Sequence, residues 1–165
     1  MTKKVADGHA PHPVVKERKN GCFACGKDNP TGMQLRFFLD EAARQAICEF
    51  TLEGRYQGPP GHAHGGIIAT ILDEAMGKVN KLSNVLALTR TMNVEYLKPV
   101  PLEKQLTVIA RAQSVAGRQH VNVAEIINQD GDVLARSTGT FIAVGPDRMF
   151  AKLNGSEKLL KNELE

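Results

Sequence analysis

The alternation of apolar and polar residues divides the chain into strands, turns and one helix. Apolar residues alternate with polar ones over residues 32–39, and a second apolar run covers residues 46–52. Both runs are typical of half-buried strands. The segment QGPPGHAHGG, residues 57–66, is rich in Gly and Pro and predicts a loop. Apolar residues then recur at helical spacing over residues 65–81, which predicts one long, mostly buried helix.

Four further strands are predicted after the helix, at residues 86–101, 104–117, 118–131 and 132–146. Gly117 with Arg118, and then Asp130-Gly131, supply the turn chemistry between them. An antiparallel sheet of this kind exposes one apolar face, which a single helix can cover. The pattern therefore predicts an α+β fold in which a sheet wraps around one central helix.

The length of 165 residues is enough for one sizeable core and too short for two. Residues 1–20 carry little apolar material and predict a flexible arm, residues 21–146 form the predicted domain, and residues 147–165 predict a charged helical tail. The first 20 residues lack the apolar segment of a secretory signal. Together with an odd number of cysteines, three, this favours a reduced, cytoplasmic setting.

Composition argues against two classes of partner. Aromatic residues make up 5% of the chain and Trp is absent, so stacking platforms for nucleic acid are not expected. The net charge is +3, and the basic residues are scattered along the chain. No segment approaches the roughly 20 apolar residues of a membrane helix, so no membrane partner is expected.

Two adjacent carboxylates in the predicted helix have different surroundings. Glu74 precedes Lys78 by four residues, the favourable order for a helical ion pair, and this predicts a solvated, structural acid. Asp73 has no cationic residue three or four positions away. A carboxylate on an apolar helix costs free energy unless a partner or a reaction uses it. Asp73 is therefore either catalytic or a structural acid that is hydrogen-bonded to a neighbouring strand and takes part in no chemistry.

The helix begins at His64-Gly65-Gly66, where backbone N–H groups meet the positive end of the helix dipole. Such a spot can hold the oxyanion of acyl transfer, although two glycines can also serve only as a tight entry turn. His64 lies nine residues before Asp73, which is about 13 Å along a helix. We therefore expect a composite site in a symmetric homodimer, in which each helix start faces the Asp73 of the other subunit.

The segments HGGIIATILDEAMG and TRTMNVEYLKPVP, preceded by CFACGKDNPTGMQLRF, resemble hotdog-fold thioesterases of the phenylacetate-pathway (PaaI) type. The resemblance implies a hotdog fold, with an antiparallel sheet of five to six strands wrapped around the helix. It further implies a homodimer, often paired into a tetramer, that hydrolyses acyl-CoA without any cofactor beyond the CoA of the substrate. Asp73 is then the general base or nucleophile, the N–H near Gly65 and Gly66 polarises the carbonyl, and His64 shapes the site.

A hydroxyl residue on the next strand often places the water in this family, and Thr89 and Thr91 both lie there with the same side-chain parity. Many relatives carry an Asn six residues before the His, where this chain has Gly58. Gln57 and His62 are the candidates to replace that amide.

Lys98 is a candidate contact for the phosphates of CoA. The alternative function is a non-catalytic acyl-CoA sensor with the same fold, because a fold alone does not settle function. A hotdog dehydratase is a weaker alternative.

Cys22 and Cys25 have the spacing of half a zinc site. A structural zinc needs four ligands, and the remaining candidates are Cys48, His62, His64, His9 and His12. One Cys-x-x-Cys without its mate is weak support for a metal. The sequence therefore favours a tight turn with two buried, inert thiols and no metal.

Overall fold

The computed structural model of the protein describes residues 19–145. The predicted helical tail and all but the last two residues of the predicted arm lie outside the described residues. The elements in chain order are β1 (Phe38–Asp40), β2 (Gln45–Thr51), α1 (Gly65–Val79), β3 (Ala87–Tyr96), β4 (Gln105–Ala116), β5 (Gln119–Ile127) and β6 (Val133–Ala143), with short 3-10 helices at Gly54–Tyr56 and Asn80–Ser83. Within residues 19–145, no helix combines the length and the apolarity that crossing a bilayer requires.

The six strands form one antiparallel sheet in the order β1-β2-β4-β5-β6-β3, and α1 packs across one face of it. The predicted hotdog architecture is thereby confirmed, with six strands. Strand β3 follows the helix in sequence but pairs with the last strand, β6. This pairing leaves β3 as one edge of the sheet, while the three-residue β1 forms the other.

One face of α1 supplies the centre of the core. Its buried residues recur every three or four positions and are Ile68, Ile71, Leu72, Ala75, Met76 and Val79. Burial of a residue such as Leu72, which has no exposed surface, stabilises the fold by about 1.5–3 kcal/mol. Gly139 of β6 allows this close packing, because a Cβ there would lie 2.9 Å from Met76 Cε. The prediction of a mostly buried helix is wrong for the opposite face, where Thr70, Asp73 and Gly77 are only half-buried.

The first predicted strand is much shorter than expected. Strand β1 begins at Phe38, and residues 32–37 form an irregular segment. The N–H of Met33 donates to the Phe23 carbonyl at 2.8 Å, and the N–H of Leu35 donates to Ala24. Gln34, between them, has a φ of +51°. The backbone of this segment therefore forms its hydrogen bonds with residues 23–24 and not with a neighbouring strand. Leu35 is nevertheless part of the core, as the alternation predicts.

The two predicted hairpin turns are confirmed, with different lengths. Gly117 and Arg118 alone connect β4 to β5, and Gly117 has a φ of +57°. The β5–β6 turn is longer, because Asn128 Oδ1 accepts from the N–H groups of both Asp130 and Asp132. The β5–β6 turn also reaches the strand end after β3, where Asp132 Oδ1 pairs with Lys98 Nζ at 3.0 Å.

Candidate active site

The start of α1 has one backbone N–H left for a ligand. His64 is the N-cap, and its Nδ1 accepts from the N–H of Gly66 at 2.9 Å. The His64 carbonyl accepts from Ile67 and Ile68. Within residues 19–145, the N–H of Gly65 has no hydrogen-bond partner. The two glycines therefore differ: the N–H of Gly66 is bonded to the capping His64, whereas the N–H of Gly65 is free to bind a ligand at the positive end of the helix.

Asp73 lies two turns further along the same helix and is hydrogen-bonded to a neighbouring strand. The Thr89 hydroxyl donates to Asp73 Oδ1 at 2.8 Å. In the described part of the chain, no Lys, Arg or His forms an ion pair with Asp73. The carboxylate is thus held in one orientation by a neutral donor, and its Oδ2 remains available.

Small residues share a face of α1 with Asp73 and form one half-open stripe. Gly66, Thr70, Asp73 and Gly77 are all exposed or half-buried. The Thr70 hydroxyl donates to the Gly66 carbonyl at 2.9 Å. The stripe therefore lets a substrate or a second chain approach the helix backbone between Gly65 and Asp73.

Thr89 and Thr91 lie on opposite faces of β3. The pairing with β6 shifts register between them, so that Arg90 is the extra residue of a β-bulge. Thr89 lies opposite Phe141, which is buried in the core, whereas Thr91 lies opposite Thr140, on the other face of the sheet. The predicted common parity of the two threonines is therefore wrong, because a bulge reverses the side-chain alternation that parity assumes.

The ion pair predicted between Glu74 and Lys78 is confirmed, at 2.8 Å. The prediction that Glu74 is solvated is wrong, since its side chain is only 20% exposed and that of Lys78 only 13%. Burial would raise the pKa of Glu74, but hydrogen bonds from Cys25, Lys78 and Cys22 and the charge of Lys78 together hold its pKa below the usual range. Glu74 is thus a half-buried acid in an ion pair, distinct from Asp73.

A pocket of about 420 Å³ lies beside Gly65. The predicted substrate-binding residues His62 and Lys98 both line it, and so does Tyr96. The Tyr96 hydroxyl donates to the Gly65 carbonyl at 3.1 Å, which fixes the Gly65–Gly66 peptide, next to the peptide that carries the candidate Gly65 N–H. Tyr96 was missed at the sequence level, where its only signal was a position at the end of the strand after the helix.

Two of the pocket's polar groups already have partners. His62 Nδ1 lies 2.9 Å from the Pro60 carbonyl, and Lys98 Nζ forms an exposed ion pair with Asp132 at 3.0 Å. Asp73 does not line this pocket. One chain therefore keeps the Gly65 N–H and the Asp73 carboxylate in separate places, about 12 Å apart along α1.

Gly58, the position at which the family resemblance implies an Asn, has no room for a side chain here. A Cβ on Gly58 would lie 2.8 Å from His64 Cα. The neighbouring Gln57 uses its Oε1 to accept from the Gly61 N–H at 3.1 Å, and this closes the loop. The Gln57 amide oxygen thus serves the backbone of this loop.

The three cysteines differ in exposure. Cys22 is exposed, Cys25 is half-buried and Cys48 is buried in β2. The prediction of two buried thiols in the Cys-x-x-Cys segment is therefore wrong for Cys22. Of the two cysteines in the Cys-x-x-Cys segment, Cys25 is the less exposed. Burial, together with the hydrogen bond to Glu74 and the negative charge of Glu74, raises the pKa of the Cys25 thiol.

Comparison with known proteins assigns the family. The sequence profile of the thioesterase superfamily matches residues 60–135, which include the helix start, Asp73 and Thr89. The chain is 32% identical over 127 residues to "Acyl-coenzyme A thioesterase THEM4" of Rattus norvegicus, and the match covers 76% of this chain and 55% of the relative. The chain belongs to the thioesterase superfamily. It spans about half the length of that relative.

Solved structures of the superfamily share the fold. The thioesterase superfamily protein RHA08564 superposes with a TM-score of 0.72 at 28% identity, over 79% of this chain and 68% of that one. The Escherichia coli PaaI protein from the phenylacetic acid degradation operon superposes with a TM-score of 0.63 at 20% identity, over 68% of this chain and 81% of that one. The second likeness concerns the fold alone, and it matches the PaaI-type resemblance noted in the sequence.

Proposed function

We propose that the protein hydrolyses the thioester of an acyl-CoA to a free acid and CoA. The observation that carries this proposal is the Asp73 carboxylate, which is oriented by Thr89 at 2.8 Å and has no cationic partner within residues 19–145. The name of the rat relative supports the substrate class. The reaction needs no cofactor, since CoA enters as part of the substrate.

In the proposed reaction Asp73 acts through the carboxylate oxygen that Thr89 leaves available. As a general base, it takes a proton from water while the oxygen of that water bonds to the thioester carbon. The negative charge that develops on the carbonyl oxygen is stabilised by the Gly65 N–H. The C–S bond then breaks, and the CoA sulfur leaves and regains a proton. As a nucleophile, Asp73 would instead bond to the carbon directly and be released by water.

A second copy of the chain supplies the missing half of this site. Strand β3 is a sheet edge of ten residues with an unpaired side, and such an edge readily pairs with another chain. Leu88 and Tyr96 on it are 50% and 54% exposed. Pairing of two β3 strands about a two-fold axis would place the two α1 helices antiparallel. The Gly65 of one subunit would then face the Asp73 of the other in a homodimer, which can pair further into a tetramer.

The pocket beside Gly65 would hold the thioester end of the substrate. Its lining is mainly apolar, with His62 as a polar group near Gly65. The half-exposed Lys98 would form an ion pair with a phosphate of CoA. Gln57 would not contact the substrate; it would hold the loop that leads into the helix start. The cytoplasm remains the proposed location, in line with three free cysteines.

A thiol-release assay over aliphatic and aromatic acyl-CoAs tests the proposal. We expect wild type to release CoA and Asp73→Asn to lose turnover by about 10²–10⁴-fold, the usual contribution of a general base. The matched control is Asp130→Asn, the same chemical change in the exposed β5–β6 turn, which should leave turnover unchanged.

Two results would contradict the proposal. If Asp73→Asn turned over every substrate as fast as wild type, the assigned mechanism would be wrong. If wild type bound acyl-CoA in equilibrium dialysis but released no thiol from any member of the panel, the non-catalytic sensor would replace the enzyme.

A further inference from the structure

Two thiols and a carboxylate converge on the side of α1 next to Asp73. Cys22 and Cys25 lie upstream of β1, in a turn that packs onto Glu74 and Lys78 of α1. Cys22 Sγ lies 3.7 Å from Glu74 Oε2. Within residues 19–145, the two sulfurs and one Glu74 oxygen are the only group of three metal-ligating atoms that lie within 4.8 Å of one another.

The backbone around the two thiols is held in place independently of any ligand. The N–H of Gly26 donates to the Cys22 carbonyl at 2.9 Å and closes the turn. A Cβ on Gly26 would lie 2.4 Å from that same oxygen, so the turn requires glycine at this position. Ala24 is buried between the two cysteines and bonds through its carbonyl to the N–H of Leu35. The two thiols are therefore carried by an anchored turn.

The spacing of the donor atoms suits a tetrahedral metal. Zn–S bonds of about 2.3 Å and Zn–O bonds of about 2.0–2.2 Å place neighbouring ligand atoms roughly 3.5–3.8 Å apart. The distance from Cys22 Sγ to Glu74 Oε2 is 3.7 Å. Two thiolates with one carboxylate make a soft donor set that favours Zn²⁺ over Mg²⁺ or Ca²⁺.

Lys78 completes the charge balance of such a site. Its Nζ lies 2.8 Å from Glu74 Oε1 and 3.0 Å from Cys25 Sγ. It therefore occupies one carboxylate oxygen and leaves Oε2, the oxygen that faces Cys22, for a metal. A Zn²⁺ with two thiolates, one carboxylate and the Lys78 ammonium has a net charge of zero. A half-buried site needs this neutrality, because an uncompensated charge away from water is costly.

We propose that Cys22, Cys25 and Glu74 bind one Zn²⁺ per chain, with water as the fourth ligand. The two thiols lose their protons to solvent when the metal binds, and Lys78 orients Cys25 and Glu74 through hydrogen bonds to both. The exposed Cys22 faces the side from which the metal enters. The metal would clamp residues 20–35 onto α1 and would take no part in thioester hydrolysis, so the site stands independently of the proposed activity.

Titration of the metal-free, reduced protein with Co²⁺ tests this site directly. Cobalt bound to thiolates gives a sulfur-to-metal charge-transfer band and strong visible bands, and Zn²⁺ should abolish both by displacing it. We expect saturation at one equivalent. Cys22→Ser, Cys25→Ser and Glu74→Gln should each weaken binding more than 100-fold, and Lys78→Met by about 10–100-fold, as for residues that orient metal ligands.

Cys48→Ala is the matched control, because Cys48 is the third thiol and lies in β2 outside the group. It should bind Co²⁺ like wild type. Circular dichroism of each variant would verify that it is folded before titration, and Lys78→Met keeps all three ligands should a cysteine variant fail to fold. The absence of a charge-transfer band in the reduced wild type would overturn the proposal. So would a band that survives in both folded cysteine-to-serine variants.

Discussion

Replacing Thr89 with Val tests whether the hydroxyl that contacts Asp73 supports catalysis. Val keeps the β-branched shape that suits a strand, so the change removes the hydroxyl and little else. In the structure this hydroxyl donates to Asp73 Oδ1 at 2.8 Å. Without it the carboxylate can rotate, and both of its oxygens compete for the attacking water.

The expected loss follows from the type of hydrogen bond. A hydrogen bond to a charged group contributes about 1.5–3 kcal/mol. Thr89 is exposed and Asp73 is half-buried, so water can replace part of the interaction, and we take the lower end of that range. A loss of about 1.5 kcal/mol corresponds to roughly a tenfold fall in kcat/KM.

The assay is thiol release under single-substrate steady-state conditions, with Thr91→Val as the matched control. Both changes delete one hydroxyl from an exposed position of β3. Thr91 lies beyond the bulge, on the face of the sheet away from α1. Its removal should change kcat/KM by less than twofold and the free energy of unfolding by no more than about 0.5 kcal/mol. Thr89→Val should lower the free energy of unfolding by no more than about 1.5 kcal/mol, the contribution of the lost hydrogen bond.

Equal losses of kcat/KM in the two variants would refute this reasoning, because they would show that activity does not depend on which face of β3 carries the hydroxyl. A larger loss in Thr91→Val would show that the bulge does not have the register described here. A loss in Thr89→Val that disappears when the rates are corrected for the fraction of folded protein would assign Thr89 to stability alone.

Three further predictions follow from the same contacts. Glu74→Gln should lower the free energy of unfolding by about 1–2 kcal/mol at pH 7. Because the pKa of Glu74 in the folded protein lies below its ordinary 4.5, the difference in stability between wild type and variant should shrink as the pH falls below that value. Urea unfolding at pH 7 and at pH 3 would measure this difference. Gly58→Asn should destabilise the fold by about 1–3 kcal/mol, because its Cβ would lie 2.8 Å from His64 Cα; an unchanged melting temperature with faster thiol release would show instead that the loop accepts the amide. Specific activity should fall on dilution together with the dimer fraction measured by light scattering, and a monomer of full activity would rule out the composite site.

Much of this fold could be predicted from residue spacing. The helical repeat of apolar residues over α1 and the alternation in β4 to β6 depend on local periodicity, which the chain carries along its length. The choice between Asp73 and Glu74 also came from spacing, since Lys78 is one turn after Glu74 alone. The short β1 could not be predicted, because the backbone of Met33 and Leu35 finds its partners at residues 23–24 and not in the sheet.

The sequence by itself determined the elements, the superfamily resemblance and the candidate acid, because these depend on residue type and on spacing within one segment. Only the tertiary structure decided which threonine meets Asp73, since a bulge at Arg90 reverses the side-chain alternation of β3. Only the tertiary structure distinguished Gly65 from Gly66, because His64 folds back to cap one N–H and not the other. The grouping of Cys22 and Cys25 with Glu74, some 50 residues later in the chain, was likewise decided by packing, for which no local pattern exists.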